Sequence, residues 1–274
     1  MMKSLVLANQ NGGVGKSAIG TQLAFYAAHI GKRVLYIDLD HQRNSTNPFI
    51  RSKLCALAAF SASDLQILVV AEPLVSSFVL VRGDERLSGL EPMPETHNAI
   101  ANNLAKLLHV NASQFDIAII DTNPNPDIRY GVALVVADYV LSPVQLNLEA
   151  LEGIGALLNH SRYGIAKIRQ AINAKLELIG ILPNSVEATP FQRANLLRLA
   201  EQHSKLLLEL APGSARRYAM IPKRTAIAEA QAEGAPLYAM KKTSARDAWI
   251  EVQPVFDAVL TKMGFTVKGV DHGA

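Results

Sequence analysis

The chain has 274 residues, of which 49% are hydrophobic and 19% are charged, and its net charge is +3. This composition can bury a sizeable core and excludes an intrinsically disordered chain. The single cysteine, Cys55, excludes an intrachain disulfide framework and a multi-cysteine metal site, so we expect a reducing cytoplasm and a small buried thiol. The first apolar run starts at the N-terminus and all such runs are short, so we expect neither a signal peptide nor a membrane partner.

Short apolar runs alternate with helical segments along the chain. Strands are predicted at residues 3–8, 34–37, 78–81, 117–120, 139–144 and 176–182. Helices are predicted at residues 17–31, 97–108, 147–163, 190–210 and 245–263. Residues 41–50 are polar and typical of a functional loop, whereas residues 63–66 resemble a capping box that opens a further helix. The alternation predicts an α/β fold, a single domain over residues 1–274 with a mostly parallel, twisted sheet covered by helices on both faces.

A glycine-rich segment, Asn11–Ser17, joins the first predicted strand to the first predicted helix. Such a turn presents backbone N–H groups and a helix N-terminus to phosphates. Lys16 would contact the β- and γ-phosphates, and the Ser17 hydroxyl would bind Mg²⁺. The residues predicted to surround the phosphates are Gly12, Gly13, Val14, Gly15, Lys16, Ser17 and Ala18. The alternatives are a turn without a ligand and a dinucleotide site with Asp38 on the ribose, which leaves the lysine–serine pair without a role.

Three carboxylates follow the predicted strands: Asp38 and Asp40 after the second, and Asp121 after residues 117–120. Ligands of open α/β sheets bind at the carboxyl ends of strands, so these acids are candidates for the site. Asp121 is expected to hold Mg²⁺, and Asp40 to orient the attacking water or contact Mg²⁺ through water. Asp38 is either a second such ligand or a structural acid of the loop. Asn184 is placed to contact a nucleobase, and the absence of an Asn-Lys-x-Asp motif favours adenine over guanine.

Charge is distributed unevenly along the chain. Residues 1–159 carry 11 Lys and Arg against 14 Asp and Glu, whereas residues 160–250 carry 14 against 7. A basic second half beside an acidic first half suggests a face for a polyanion. An ordinary solvated surface is the alternative that charge counting leaves open.

Several motifs occur in a recognisable order. They are Ala8-Asn9-Gln10, the Asn11–Ser17 turn, Val34–Asp40 with Gln42 and Asn44, Asp121-Thr122-Asn123-Pro124, residues 137–145, residues 148–153, Ile221-Pro222-Lys223-Arg224, Ala228-Glu229-Ala230 and Gly234. Together they resemble the ParA/MinD family of deviant Walker A P-loop ATPases, and within it the ParA-type partition proteins. His41 stands where that family commonly has proline.

This resemblance implies an ATPase that uses ATP and Mg²⁺, forms an ATP-dependent homodimer and binds double-stranded DNA non-specifically. A ParB-like centromere-binding or adaptor protein would be its partner, and the nucleoid in the cytoplasm its location. By position, Ser17, Asp40 and Asp121 would hold the metal, and Asn184 and Pro222 would border the adenine. Lys16, Asp40 and Asn11 would serve hydrolysis. The candidates for DNA contact are Arg216, Arg217, Lys223 and Arg224.

Asn11 departs from the family pattern, which has a lysine that reaches across the dimer to the partner's phosphates. Asparagine can donate a hydrogen bond but cannot neutralise developing charge. We therefore expect ATP binding to survive and hydrolysis to be slow. Partition of plasmid or chromosomal DNA is the first functional hypothesis, and positioning of a protein cargo or of conjugation machinery is the second. A metabolic enzyme or an iron–sulfur reductase of the same superfamily is the third, and the lone cysteine disfavours the reductase.

Overall fold

The computed structural model describes residues 1–147 and 149–267, with only the backbone described for residues 149–152. The described strands are β1 Lys3–Leu7, β2 Val34–Asp38, β3 Ala56–Ser61, β4 Phe78–Arg82, β5 Ile117–Asp121, β6 Tyr139–Val144 and β7 Glu177–Pro183. The described α-helices are α1 Lys16–His29, α2 Thr46–Ser52, α3 Pro94–Val110, α4 Ile128–Val136, α5 Glu149–Asn159, α6 Ile165–Ala171, α7 Pro190–His203, α8 Thr225–Glu233 and α9 Thr243–Lys262. None of the described helices combines the length and the apolar character that crossing a bilayer requires.

The seven described strands form one sheet in the order β3-β4-β2-β5-β1-β6-β7, and every neighbouring pair is parallel. This arrangement confirms the predicted α/β fold, with a sheet that is wholly parallel over the described strands. Leu7 of β1 pairs in register with Asp121 of β5, which also pairs with Asp38 of β2. The carboxyl ends of three adjacent central strands therefore bring the glycine-rich segment and the predicted acids to one edge of the sheet.

Side chains of the central strands alternate between two buried faces, as the pleat requires. Leu5 and Tyr36 belong to the core that packs against α1, α8 and α9. Val6 and Leu35 belong to the core that packs against α3, α4 and α6. Because both faces are covered, these strands are continuous apolar runs, and short apolar runs are the signal from which they were predicted.

Several elements differ from the sequence prediction. Strand β3 was missed because it lies at the edge of the sheet and exposes part of its alanine-rich surface. Helices α4 and α8 were not predicted, and α2 begins at Thr46, inside the segment predicted to be a loop. The capping box is formed by Ser61 and Asp64 at a short 3-10 helix over residues 62–66, not by Ser63.

Two predicted helices are shorter than expected. The helix predicted over residues 147–163 ends as α5 at Asn159, and Leu148 lies outside the described residues. The helix α6, which begins after Gly164, was not predicted. The segment predicted over residues 190–210 ends as α7 at His203, because the backbone of Leu208 leaves the helix and donates to the Ile181 carbonyl of β7. Residues 268–274 of the predicted domain also lie outside the described residues.

Cys55 is half-buried against the core rather than fully enclosed. Its position just before the edge strand β3 explains the partial exposure. Burial nevertheless raises the pKa of the thiol to about 11, so the group is protonated at neutral pH.

Candidate nucleotide site

The turn after β1 is held open by backbone conformation and by one buried side chain. Gly13 and Gly15 have φ angles of +72° and +91°, which L side chains rarely adopt. The Asn9 side chain accepts from the Asn11 N–H (2.7 Å) and donates to the Pro143 carbonyl (2.8 Å). The turn is thus fixed to β6 before any ligand enters.

The N-terminus of α1 has no side-chain cap. Gly15 is its N-cap residue, and no side chain accepts a hydrogen bond from the first N–H groups of the helix. These donors and the positive end of the helix are therefore available to an anion.

Lys16 lies within the turn and is only 6% exposed. Its ammonium donates to the carbonyls of Asn9 (3.0 Å) and Asn11 (3.3 Å). Burial lowers the pKa of Lys16, while the negative charges of Asp121 and Asp40 raise it. The side chain therefore places one positive charge between the turn and two carboxylates.

Asp121 is fully buried at the end of β5. Its Oδ2 accepts from the Ser45 hydroxyl (2.5 Å), whereas its Oδ1 has no protein partner among the described residues. Burial is the main reason why the pKa of Asp121 is raised to about 6, and the nearby Ser45, Ser17 and Lys16 lower it. A buried carboxylate oxygen without a donor is a group that a cation satisfies, so the donor set of Asp121 and Ser17 fits Mg²⁺.

Asp38 is also fully buried, but both of its carboxylate oxygens accept hydrogen bonds from protein groups. It accepts from the Asp40 N–H (2.9 Å), the Thr46 N–H (2.9 Å) and the Thr46 hydroxyl (2.6 Å). Burial and the charge of Asp121 raise the pKa of Asp38 to about 7. These contacts favour the structural interpretation of Asp38, which holds the loop between β2 and α2.

Asp40 lies on the wall of a cavity of about 390 Å³ that the glycine-rich turn encloses. Its Oδ1 accepts from the Gln42 N–H (3.0 Å), which turns the carboxylate toward the cavity. All seven residues predicted to surround the phosphates line the same cavity, together with Thr122, Pro124 and Gln231.

A second cavity of about 340 Å³ adjoins the first, because Gly15 and Ala18 line both. Asn184 and Pro222, the residues predicted to border adenine, lie on its walls with mostly apolar neighbours such as Ile221. The Asn184 amide donates to the Val14 carbonyl (2.8 Å) and so joins β7 to the turn. The arrangement offers a polar cradle for phosphates beside an apolar slot for a flat base.

Comparisons with known proteins agree with this geometry. The family model described as an AAA domain matches residues 2–178. Protein IncC of Escherichia coli is 35% identical over 96% of this chain and 70% of its own length. The chromosome-partitioning ATPase Soj of Thermus thermophilus is 30% identical, over 85% of this chain and 86% of its own.

The chain belongs to the ParA family of partition ATPases. Its fold is shared by the Cyanothece McdA–ATP complex, with a TM-score of 0.76 at 19% identity over 98% of this chain and 99% of the other. At that identity the likeness concerns the fold alone. The motifs that suggested the family from sequence are therefore supported by relatives over most of the chain.

Asn11, the residue that departs from the ParA-family pattern, packs against α5 of the same chain. Its amide nitrogen sits 2.9 Å from where a Cβ on Gly153 of α5 would be, so any larger residue at 153 would displace it. Its backbone N–H and carbonyl are used within the turn by Asn9 and Lys16. The side chain is thus short enough to pack on α5.

Three of the four cations predicted to contact DNA are paired with carboxylates. Arg217 bonds to Glu209 (2.9 Å), Lys223 pairs with Glu187, and Arg224 makes two bonds to Glu251 (2.7 and 2.8 Å). Arg216 is exposed and has no hydrogen bond or ion pair to the residues the structure describes. Arg193, which sequence reasoning missed, joins Arg216, Lys223 and Arg224 along a groove of about 780 Å³.

Sequence reasoning also missed two polar groups at the nucleotide cradle of this ParA-family chain. Ser45 reaches Asp121 from the loop after β2, and Gln145 donates to the Gly13 carbonyl (3.0 Å) from the end of β6. The polarity of residues 41–50 pointed to the first loop as a whole. No local signal distinguished Ser45, because its partner lies in another strand.

Proposed function

We propose that the protein is a Mg²⁺·ATP-dependent switch that acts in partition of plasmid or chromosomal DNA. The observation that carries the proposal is the phosphate cradle, a cavity that Lys16 and Ser17 line beside an apolar slot, together with the buried, unpartnered Oδ1 of Asp121 at the end of β5. A nucleotide triphosphate with its cation supplies the negative and positive charges that this arrangement accommodates.

The chain's own residues have distinct roles in this proposal. Lys16 and the N–H groups at the start of α1 bind the phosphates, and Ser17 and Asp121 hold Mg²⁺, which neutralises phosphate charge. Asn184 and Pro222 position the adenine. Asp40 orients water for hydrolysis or contacts the metal through water, and the absence of a positive side chain at Asn11 keeps turnover slow.

ATP binding is proposed to join two copies of the chain and to expose a DNA-binding face. Residues 160–250 carry the excess of positive charge, and the proposed phosphate contacts are Arg216, Arg217, Lys223 and Arg224. Such contacts are independent of base sequence, so affinity should fall steeply as salt rises. A ParB-like protein would stimulate hydrolysis and release the DNA, and the nucleoid would be the location.

Light scattering tests the switch. The parent protein is measured with no nucleotide, with ADP and with ATP, each with and without duplex DNA. Lys16→Ala removes the cradle's cation, and Lys106→Ala on the exposed face of α3 serves as the matched control. We expect dimers and DNA complexes only with Mg²⁺·ATP, in the parent and in Lys106→Ala but not in Lys16→Ala. A monomer that ignores both ATP and DNA would overturn the proposal.

A DNA-binding dimer that responds to a centromere-binding partner supports partition. If the ATP dimer instead recruits a protein cargo and ignores such a partner, the second hypothesis, cargo or conjugation-machinery positioning, replaces the first. The two outcomes are separated by measuring ATP turnover with each partner at a fixed DNA concentration.

A further inference from the structure

A buried network connects α4 to the loop that carries Asp40. Arg129 on the first turn of α4 is 4% exposed, and its guanidinium bonds to Asp127 through Nε (3.0 Å to Oδ2) and through a second nitrogen. The remaining terminal nitrogen lies 2.8 Å from His41 Nδ1. Asp127 also caps α4 and accepts from the Asn123 amide (2.9 Å), just beyond β5.

The chemistry of arginine fixes the role of the imidazole. A guanidinium has donors only, so His41 Nδ1 must accept from Arg129 with its lone pair, and the ring proton resides on Nε2. The same Nδ1 lies 3.3 Å from Asp40 Oδ1. Two acceptors at that distance do not form a hydrogen bond. The ring therefore limits the position of the Asp40 carboxylate by steric contact and donates no hydrogen bond to it.

Arg129 affects the orientation of the Asp40 carboxylate, through His41, more than it affects the electrostatic field there. Asp127 neutralises the guanidinium within the network, which leaves little net field at the neighbouring carboxylate. His41 and the Gln42 N–H both lie against Oδ1 of Asp40. Oδ2 has no protein donor within the described ranges, so it is the oxygen that the network leaves for a ligand.

We propose that His41, held by Arg129, is a positioning residue that fixes the Asp40 carboxylate for ATP hydrolysis. This inference rests on the proposed function. The residues that follow His41 are exposed, from Gln42 to Asn44, and Arg43 has a left-handed φ of +59°. His41 is therefore the side chain that ties this exposed segment to α4. Proline, which the family commonly has here, has no side-chain acceptor for Arg129.

Two substitutions at His41 test the proposal. His41→Ala removes the acceptor, whereas His41→Asn keeps an oxygen that Arg129 can bond. His109→Ala, at an exposed position of α3, is the matched control. At saturating ATP we expect single-turnover hydrolysis to fall about tenfold in His41→Ala and less than about threefold in His41→Asn, as expected for a misplaced reacting group. ATP affinity should stay within about twofold, since the phosphate cradle is untouched.

A nuclear magnetic resonance measurement tests the geometry without turnover. In the nucleotide-free parent at pH 8, the ¹⁵N shifts of His41 should show the Nε2–H tautomer. The Nδ1–H tautomer would overturn the inference, and so would equal loss of ATP affinity in both His41 variants, which indicates general damage to the loop.

Combination with Asp40→Asn separates the inference from the proposed function. If His41 acts through Asp40, the double variant Asp40→Asn/His41→Ala should hydrolyse ATP no more slowly than Asp40→Asn alone. Additive losses would overturn the positioning role while leaving the ATPase proposal intact. An unchanged rate in Asp40→Asn would overturn both the positioning role and the assignment of Asp40, but not nucleotide binding.

Discussion

Replacing Asp121 with asparagine should stabilise the nucleotide-free protein while removing its metal site. Burial raises the pKa of this carboxyl from 3.8 to about 6. Between about pH 4 and pH 6 the folded protein therefore binds a proton that the unfolded chain does not. The raised pKa makes the free energy of unfolding fall as pH rises through that window, and the loss is complete above it.

The magnitude follows from the size of the shift. A shift of about two pKa units corresponds to about 3 kcal/mol at pH 7.5, where the ionised group must be kept buried. Asparagine carries no charge but makes a weaker bond with Ser45, which offsets about 1 kcal/mol. We expect Asp121→Asn to be more stable than the parent by about 1–3 kcal/mol at pH 7.5.

Urea denaturation in EDTA at two pH values measures this gain. At pH 5.0 the parent carboxyl is largely protonated when folded, so the gain should be smaller than at pH 7.5 by about 1 kcal/mol or more. Asp247→Asn, at an exposed position of α9, is the control and should change little. The variant should also lose the Mg²⁺ dependence of ATP binding. A gain independent of pH, or no gain at pH 7.5, would refute the argument from burial.

Two further substitutions test the turn. Gly15→Ala should lower the free energy of unfolding by about 1–3 kcal/mol and weaken ATP binding, because φ is +91° and the added Cβ would lie 2.2 Å from the Asn184 amide nitrogen. Gly213→Ala is the control, because φ there is +84° but the added Cβ would have no atom within 4 Å. Urea denaturation should therefore show only the smaller loss of unfolding free energy that comes from backbone strain. Asn11→Lys should raise steady-state ATP turnover about tenfold or more by restoring a transition-state charge. An unchanged rate would show that Asn11 does not limit hydrolysis.

The central strands and the phosphate turn could be predicted because their signals are local. The apolar run before Asn11 and the run that ends at Asp121 each lie within a few residues of the group they position. Parallel pairing of the strands then brings the ends of β1, β2 and β5 together, whatever contacts their side chains make. The same reasoning placed Asn184 near the nucleotide, because it follows the last strand of the sheet.

The contacts that tune the site could not be predicted, since their partners are distant in sequence. Ser45 reaches Asp121 from the loop between β2 and α2, and Arg129 reaches His41 from α4, which was not predicted as a helix. The edge strand β3 was missed because Ala56–Ser61 lacks the buried, β-branched character of the central strands. Composition likewise predicted a basic second half, but not the carboxylates paired with its cations.

The position of β1 in the middle of the sheet has a consequence for biosynthesis. This strand is synthesised well before its neighbours in the sheet, β5 and β6, with Lys3 opposite Ile117 and Leu5 opposite Tyr139. Translation proceeds at about 5–20 residues per second, so several seconds pass between the synthesis of β1 and that of β5 and β6. We expect the nascent chain to keep an apolar segment uncovered during that interval and to rely on chaperones until the sixth strand emerges.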